Sequence, residues 1–125
     1  MREFGQLESA IMDVIWSADR PLLVREVRDQ LHYARPLAYT TVMTVMTILH
    51  GKGVLSREKY GRAWRYWPQE QRRAHDARLM AEILRSAADP VPTLQEFVSM
   101  LNAEELAAMR NAASQRQSPR TFAVG

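Results

Sequence analysis

Residues Tyr39 to Gly53, Y-T-T-V-M-T-V-M-T-I-L-H-G-K-G, decide how this 125-residue chain is read. Thr, Val and Ile are stiff at χ1 and favour pleated surfaces, so single-residue propensity pulls the stretch toward a strand. Periodicity points the other way. At about 100° per residue, Val42, Val45, Met46 and Leu49 share one face, while Thr40, Thr44, Thr47 and Gly51 share the opposite one. At period two, each side of a strand would mix Thr with large apolar groups. The spacing therefore predicts a buried helix whose outer face carries small hydroxyls and almost no charge. An ordinary solvated face would carry Glu and Lys, so this one is shaped to approach another surface closely.

The flanks place that helix third in a series. A first helix is expected from Gln6 to Ser17, with Leu7, Ile11, Val14 and Ile15 as its apolar stripe, and a second from Val24 to Tyr33 with Val27 and Leu31 inward. Asp19-Arg20-Pro21 separates them. Arg35-Pro36 ends the second, because a residue before proline is pushed out of the α region. Gly51-Lys52-Gly53 supplies a glycine able to take the left-handed C-cap conformation. Three helices with such short connections have the spacing of a helix-turn-helix core. Beyond Gly53 the period changes to two. Val54–Lys59 and Ala63–Trp67, joined by Tyr60-Gly61-Arg62, read as a two-stranded hairpin with a basic tip. The fold class is thus mainly α with a small β-hairpin: a winged helix-turn-helix.

Pro68 marks the expected boundary to a second part. A helix from Gln71 to Ala87 carries Leu79, Met80, Ile83 and Leu84; Asp89-Pro90-Val91-Pro92 reads as a rigid break. Thr93 then caps a short helix holding Leu94, Phe97, Val98 and Leu101, and Asn102 opens another with Leu106 and Met109 inward. Short amphipathic helices following a complete domain have little to fold against within one chain, and are better placed against a copy of themselves. The organisation expected is a winged-helix DNA-binding domain over 1–68, a helical dimerisation region over 69–113 and a disordered tail over 114–125.

Composition bounds the function. An apolar share of 46% with 25% charged residues is ordinary for a globular protein. The absence of cysteine removes disulfides, thiolate metal sites and cysteine nucleophiles together. No apolar run approaches the roughly 18 residues of a membrane span, and Met1–Ser9 carries no hydrophobic export region, so a cytoplasmic location is expected. His32, His50 and His75 lack metal-ligand spacing, and neither a phosphate-cradling glycine loop nor a nucleophile elbow occurs. The expectation is a non-enzyme without cofactor or metal. The net charge of +3 is concentrated: between Arg35 and Tyr66, the cations Arg35, Lys52, Arg57, Lys59, Arg62 and Arg65 face only Glu58. Local excess of that kind favours a polyanionic partner.

Together these features suggest a recognition helix in the major groove of DNA. Tyr39, Thr40, Thr41 and Thr44 occupy its first turns, where hydroxyls and methyls meet base edges and phosphates; Met43 would make apolar base contact. Arg62 at the hairpin tip would reach a phosphate or the minor groove, with Arg57, Lys59 and Arg65 adding backbone neutralisation. An incidental Thr face and an ordinary exposed turn are the bland alternatives.

The runs L-A-Y-T-T-V-M-T-V-M-T-I-L (Leu37–Leu49), G-K-G-V-L and Y-G-R-A-W-R-Y (Tyr60–Tyr66), with the opening L-E-S-A-I-M-D-V-I-W, closely resemble the penicillinase repressors, the BlaI/MecI/CopY family of bacterial transcriptional regulators. The resemblance covers nearly the whole chain. It implies homodimeric repression at palindromic operators of antibiotic-resistance or stress-response genes. In the best-known members, a membrane sensor-protease system triggers cleavage of an Asn-Phe bond in the dimerisation region. The matching positions are Glu96 and Phe97, with Glu in place of Asn. The cysteine motif of the copper-responsive branch is missing, and Leu23 stands where the family has a Ser/Thr cap, weakening that cap by roughly 1 kcal/mol. Two other readings remain open: a small-molecule-gated winged-helix regulator, and a winged helix used as a protein-interaction module.

Overall fold

The protein is described by a computed structural model covering residues 4–33 and 35–117. Its elements run α1 (Gln6–Ser17), β1 (Leu22–Leu23), α2 (Val24–Gln30), α3 (Tyr39–Gly51), β2 (Leu55–Tyr60), β3 (Ala63–Pro68), α4 (Arg72–Ser86), α5 (Pro90–Ser99) and α6 (Ala103–Gln117). Helix, helix, helix, hairpin is the winged helix-turn-helix order expected. The chain divides into two compact units, Met1–Met80 and Ala81–Gly125.

In the first unit, α1, α2, α3 and the sheet enclose one core. Ile11, Met12 and Ile15 come from α1, Val24 and Val27 from α2, Val42, Met46 and Leu49 from α3, and Leu55 and Tyr66 from the hairpin. The period-3.6 stripe of α3 is therefore buried as its spacing predicts, with Val45 half-buried beside it. The sheet has three strands, not two. β1 adds to β3 in the order β1-β3-β2, all antiparallel, pairing Leu22 with Tyr66 and Leu23 with Arg65. Two residues have no readable alternation; their pairing depends on a partner more than 40 positions away and on burial of Leu22 at 1% exposure.

Two helix starts in this unit are closed by a carboxylate at the third position. Glu8 Oε1 accepts the Gly5 N–H at 3.0 Å, and Glu26 Oε1 accepts the Leu23 N–H at 2.8 Å. The second bond offsets the missing Ser/Thr cap at Leu23 by half of a reciprocal capping box. Arg20 pairs with the same Glu26 at 2.9 Å; that hydrogen bond, with the Leu23 N–H, holds the Glu26 carboxyl below its ordinary pKa. α2 ends earlier than Tyr33, because Leu31 turns extended (ψ 135°) and packs on the core from the connection.

The compact unit reaches past Pro68 because the start of α4 is fastened to it. His75 is 3% exposed, its ring stacked on Phe4 at 4.9 Å and tilted against Trp16 at 5.1 Å. Trp16 Nε1–H donates to the Glu70 carbonyl at 3.0 Å, Arg72 pairs with Asp13, and Arg78 donates to Glu70 Oε1 at 2.9 Å. The Arg78 hydrogen bond depresses the Glu70 pKa.

The second unit differs in three places from the sequence expectation. The break falls at residues 87–89, with Asp89 as a non-helical N-cap, and does not extend to Pro92: α5 begins at Pro90, and Thr93 lies inside it, its N–H bonded to the Asp89 carbonyl at 3.0 Å. Proline is favoured in a helix's first turn, where the missing N–H would have no partner anyway. Asn102 does cap α6, exchanging bonds of 2.9 and 2.8 Å with Glu105. Helix α6 continues to Gln117, beyond the Ser114 boundary, since Ser114–Gln117 contains no breaker before Ser118-Pro119. Residues 118–125 of the expected tail lie outside the described residues. Within residues 81–116 no side chain is buried.

Candidate nucleic-acid interface

The outer face of α3 is as bare as its sequence suggests. Tyr39, Thr40, Thr41, Met43, Thr44, Thr47 and Ile48 are all exposed, and none carries a charge. Thr47 Oγ1 donates back to the Met43 carbonyl at 2.9 Å, so its hydroxyl is occupied. The hydroxyls of Thr40, Thr41 and Thr44 make no hydrogen bond among the described residues, leaving a donor and acceptors on each for an incoming surface.

The start of α3 contrasts with α1 and α2. Ala38 at the N-cap offers no side-chain oxygen, and no acid stands in the first turn; the Ala38 carbonyl receives Thr41 N–H at 3.1 Å and Val42 N–H at 3.3 Å. The N–H groups ahead of them remain available beside three Thr hydroxyls, at the positive end of the helix dipole. The end is closed by a Schellman cap. Gly53 takes φ +79°, its N–H bonds the His50 carbonyl at 3.0 Å, and Val54 N–H bonds the Leu49 carbonyl at 3.0 Å. An L side chain is strained at that φ, which is why glycine stands there.

The cap hands the chain directly into the wing. β2 and β3 pair Leu55 with Pro68, Arg57 with Tyr66 and Lys59 with Trp64 on the face that enters the core, and Glu58 with Arg65 on the other. Gly61 at φ +69° makes the tip turn, leaving Arg62 exposed and without an ion pair among the described residues. Arg57 lies over the Trp64 ring at 4.1 Å and Lys59 over the same ring at 4.8 Å.

The proposed contact residues thus fall into groups. Tyr39, Thr40, Thr41, Met43 and Thr44 share one exposed surface, and Arg57 and Arg62 belong to the wing as charges not matched by a carboxylate. Arg65 is different. It sits on the opposite face of the sheet, its Nε 2.9 Å from Glu58 Oε1 and its guanidinium 4.7 Å over the Tyr60 ring. A direct cross-strand carboxylate neutralises it, and only the pairing register reveals this. Lys52 is likewise satisfied, by Glu8 at 2.9 Å. Burial pushes the Glu8 carboxyl up, but the Lys52 and Gly5 hydrogen bonds outweigh it and the net shift is downward. The ring shared by Arg57 and Lys59 is not evident from the sequence without the register; counting outward from the Tyr60–Ala63 pair finds it.

The residues assigned to dimerisation are partly uncovered. Ile83 is exposed, Leu94, Phe97 and Met109 less so, and Leu79, Leu84, Val98, Leu101 and Leu106 are half-buried. Met80, read with the apolar set of that helix, is exposed too, and exposed Val91 and Met100 join them beyond the sequence expectation. Glu96 and Phe97 lie inside α5, in its C-terminal half. Among the described residues no cluster of His, Asp and Glu could hold a metal, and no helix is long and apolar enough to cross a membrane.

Comparison with known proteins shows the family of the chain. The transcriptional regulator BlaI of Mycobacterium tuberculosis, from strains CDC 1551 / Oshkosh and ATCC 25618 / H37Rv, is 37% identical over 121 residues, covering 94% of this chain and 88% of its own length. Among solved structures, the DNA-binding domain of the repressor BlaI superposes with a TM-score of 0.49 at 27% identity, over 56% of this chain and 84% of that one. The monomeric form of Bacillus licheniformis BlaI in complex with the blaP half-operator gives 0.46 at 27% identity, over 57% and 85%. The family model "Penicillinase repressor" matches residues 4–115, from the start of the winged helix into α6, and this chain belongs to that family.

Proposed function

We propose that this protein is a DNA-binding transcriptional repressor that acts as a homodimer at inverted-repeat operators. The observation that carries the reading is the uncharged face of α3, with the hydroxyls of Thr40, Thr41 and Thr44 unbonded, beside a wing whose Arg57, Lys59 and Arg62 lack carboxylate partners among the described residues. Family membership and the 37% identity to a transcriptional regulator support it. Small hydroxyls admit the helix backbone close to the groove floor, where they meet base edges, while the wing's cations neutralise backbone phosphates without reading sequence.

Dimerisation follows from energetics. A unit whose described residues bury no side chain cannot offset the entropy of ordering itself, and its exposed Ile83, Val91 and Met100 ask for cover. A second copy supplies the same apolar set. Two recognition helices related by a two-fold axis would then enter successive major grooves about 34 Å apart. Repression follows from occupying the promoter, at resistance or stress-response genes as in the family. Release by a membrane sensor-protease would need the Glu96–Phe97 bond to leave the helical conformation of α5, and Glu replaces the Asn of that cleavage site.

The test is binding to DNA from upstream of the protein's own gene against random duplex across a salt series. Thr40→Ala and Thr44→Ala each weaken upstream-DNA binding by about 1 kcal/mol, roughly fivefold, and spare random DNA. Arg62→Ala weakens both and lowers the salt slope by about 0.9 per protomer, about 1.8 for the dimer. Equal losses on both DNAs for the Thr variants refute base reading by α3.

A further inference from the structure

The sheet face that buries Leu55 and Tyr66 continues outward, toward the tip, as Arg57, Lys59 and Trp64. Lys59 stands directly opposite Trp64, and Arg57 lies one pair inward, opposite Tyr66. The indole therefore meets two cations at once: Arg57 Cζ 4.1 Å and Lys59 Nζ 4.8 Å from the ring centroid. Arg57 Nη1 is tied further by donating to the Tyr66 hydroxyl at 3.4 Å. Neither cation has an ion pair among the described residues, although Arg20, Lys52 and Arg65 each have one.

The chemistry of that choice is specific. A carboxylate partner cancels a cation's charge and competes with any phosphate. An aromatic face orders the side chain while leaving its full charge and its donors for another anion. Two like charges brought to one ring would separate unless something holds them, and they gain most by sharing a run of phosphates. We infer that Trp64 is a positioning residue that pre-orders Arg57 and Lys59 as a pair for adjacent backbone phosphates of bound duplex DNA. The inference rests on the DNA-binding reading above and adds the residue that organises the wing's contact.

Ordering two long side chains before binding removes a penalty they would otherwise bring to the complex. In salt titrations on the upstream duplex, Trp64→Leu therefore binds about tenfold more weakly at every salt concentration, with the slope unchanged because both charges remain. Trp64→Phe, which keeps an aromatic face, recovers most of the affinity. Arg57→Ala/Lys59→Ala lowers the slope by about 1.8 per protomer, about 3.6 for the dimer, and adding Trp64→Leu to that pair costs nothing further. A tenfold loss from Trp64→Leu in the charge-free background, or no rescue by Phe, overturns the inference. Ring-current shifts of the Arg57 δ and Lys59 ε protons in the free wild-type protein provide an arm that needs no variant to fold. Upfield resonances support the stack, and unshifted ones overturn it. A wild-type protein without salt-dependent duplex binding overturns the DNA reading and this inference together; normal wild-type binding with an additive cycle overturns this inference alone.

Discussion

Ile83 offers a quantitative test of self-association. Its side chain is 51% exposed in the single chain, on the part of α4 that belongs to the second unit. Fully burying a side chain of this size is worth about 1.5–3 kcal/mol, so covering the exposed half contributes about 1 kcal/mol per copy. Two-fold symmetry counts the residue twice, which makes about 2 kcal/mol per dimer, close to thirtyfold in the association constant. Ile83→Ala, which retains a methyl, should weaken association by about tenfold or more. Sedimentation equilibrium over a wide concentration range measures this directly. Ile48→Ala is the matched control: Ile48 is 46% exposed, but on α3 in the first unit, so its loss removes similar area and leaves association unchanged. A wild-type chain that stays monomeric at all concentrations, or an Ile83→Ala constant equal to wild type, refutes the argument.

Other expectations follow from the local geometry. Gly53→Ala is destabilising by about 0.5–1 kcal/mol, because a left-handed L residue costs about 1–2 and the stiffer unfolded chain returns part of it; Gly51→Ala, in helical conformation with open space at its Cβ, changes stability in the opposite direction. Urea denaturation of the two variants reads both signs, and like signs would refute the assignment of the cap. Glu26 has a folded pKa below its unfolded value, so its contribution is complete above the unfolded pKa of about 4.3 and is lost as pH falls through the folded value. The stability gap between wild type and Glu26→Gln should therefore close on acidification, and a gap that widened toward acid would contradict the Arg20 and Leu23 contacts. Asn102→Ala removes one side of the α6 capping box and should cost about 1 kcal/mol, visible as lost helicity or a lowered unfolding midpoint.

The sequence made the helices legible where a buried stripe has its own period. In α3 the apolar set Val42, Met46 and Leu49 is buried and the Thr set exposed, because the core is what imposes the 3.6 spacing. The wing was legible from its tip glycine and its alternation. What stayed hidden depends on partners distant in sequence. β1 exists only through Tyr66 and Arg65, and the burial of His75 only through Phe4 and Trp16. Arg65 looked like a free cation until the register set it across from Glu58. The start of α5 was misread because two prolines suggest a break, whereas in a first turn they replace N–H groups that have no partner.

Only Lys52, Gly53 and Val54 separate α3 from β2, and each of their N–H groups is bonded back to the last turn of the helix. The connection is in effect a fixed bracket. It tolerates exchange of side chains at Lys52 and Val54 better than any change of length, since one inserted residue would uncouple the 53–50 and 54–49 bonds and set the wing at a new angle to the helix. If α3 and the wing are the DNA-binding elements, as proposed, they cannot adapt separately to different sites. On that proposed reading, divergence toward a new operator comes from the exposed side chains of α3 and the wing, while the distance between them stays constant.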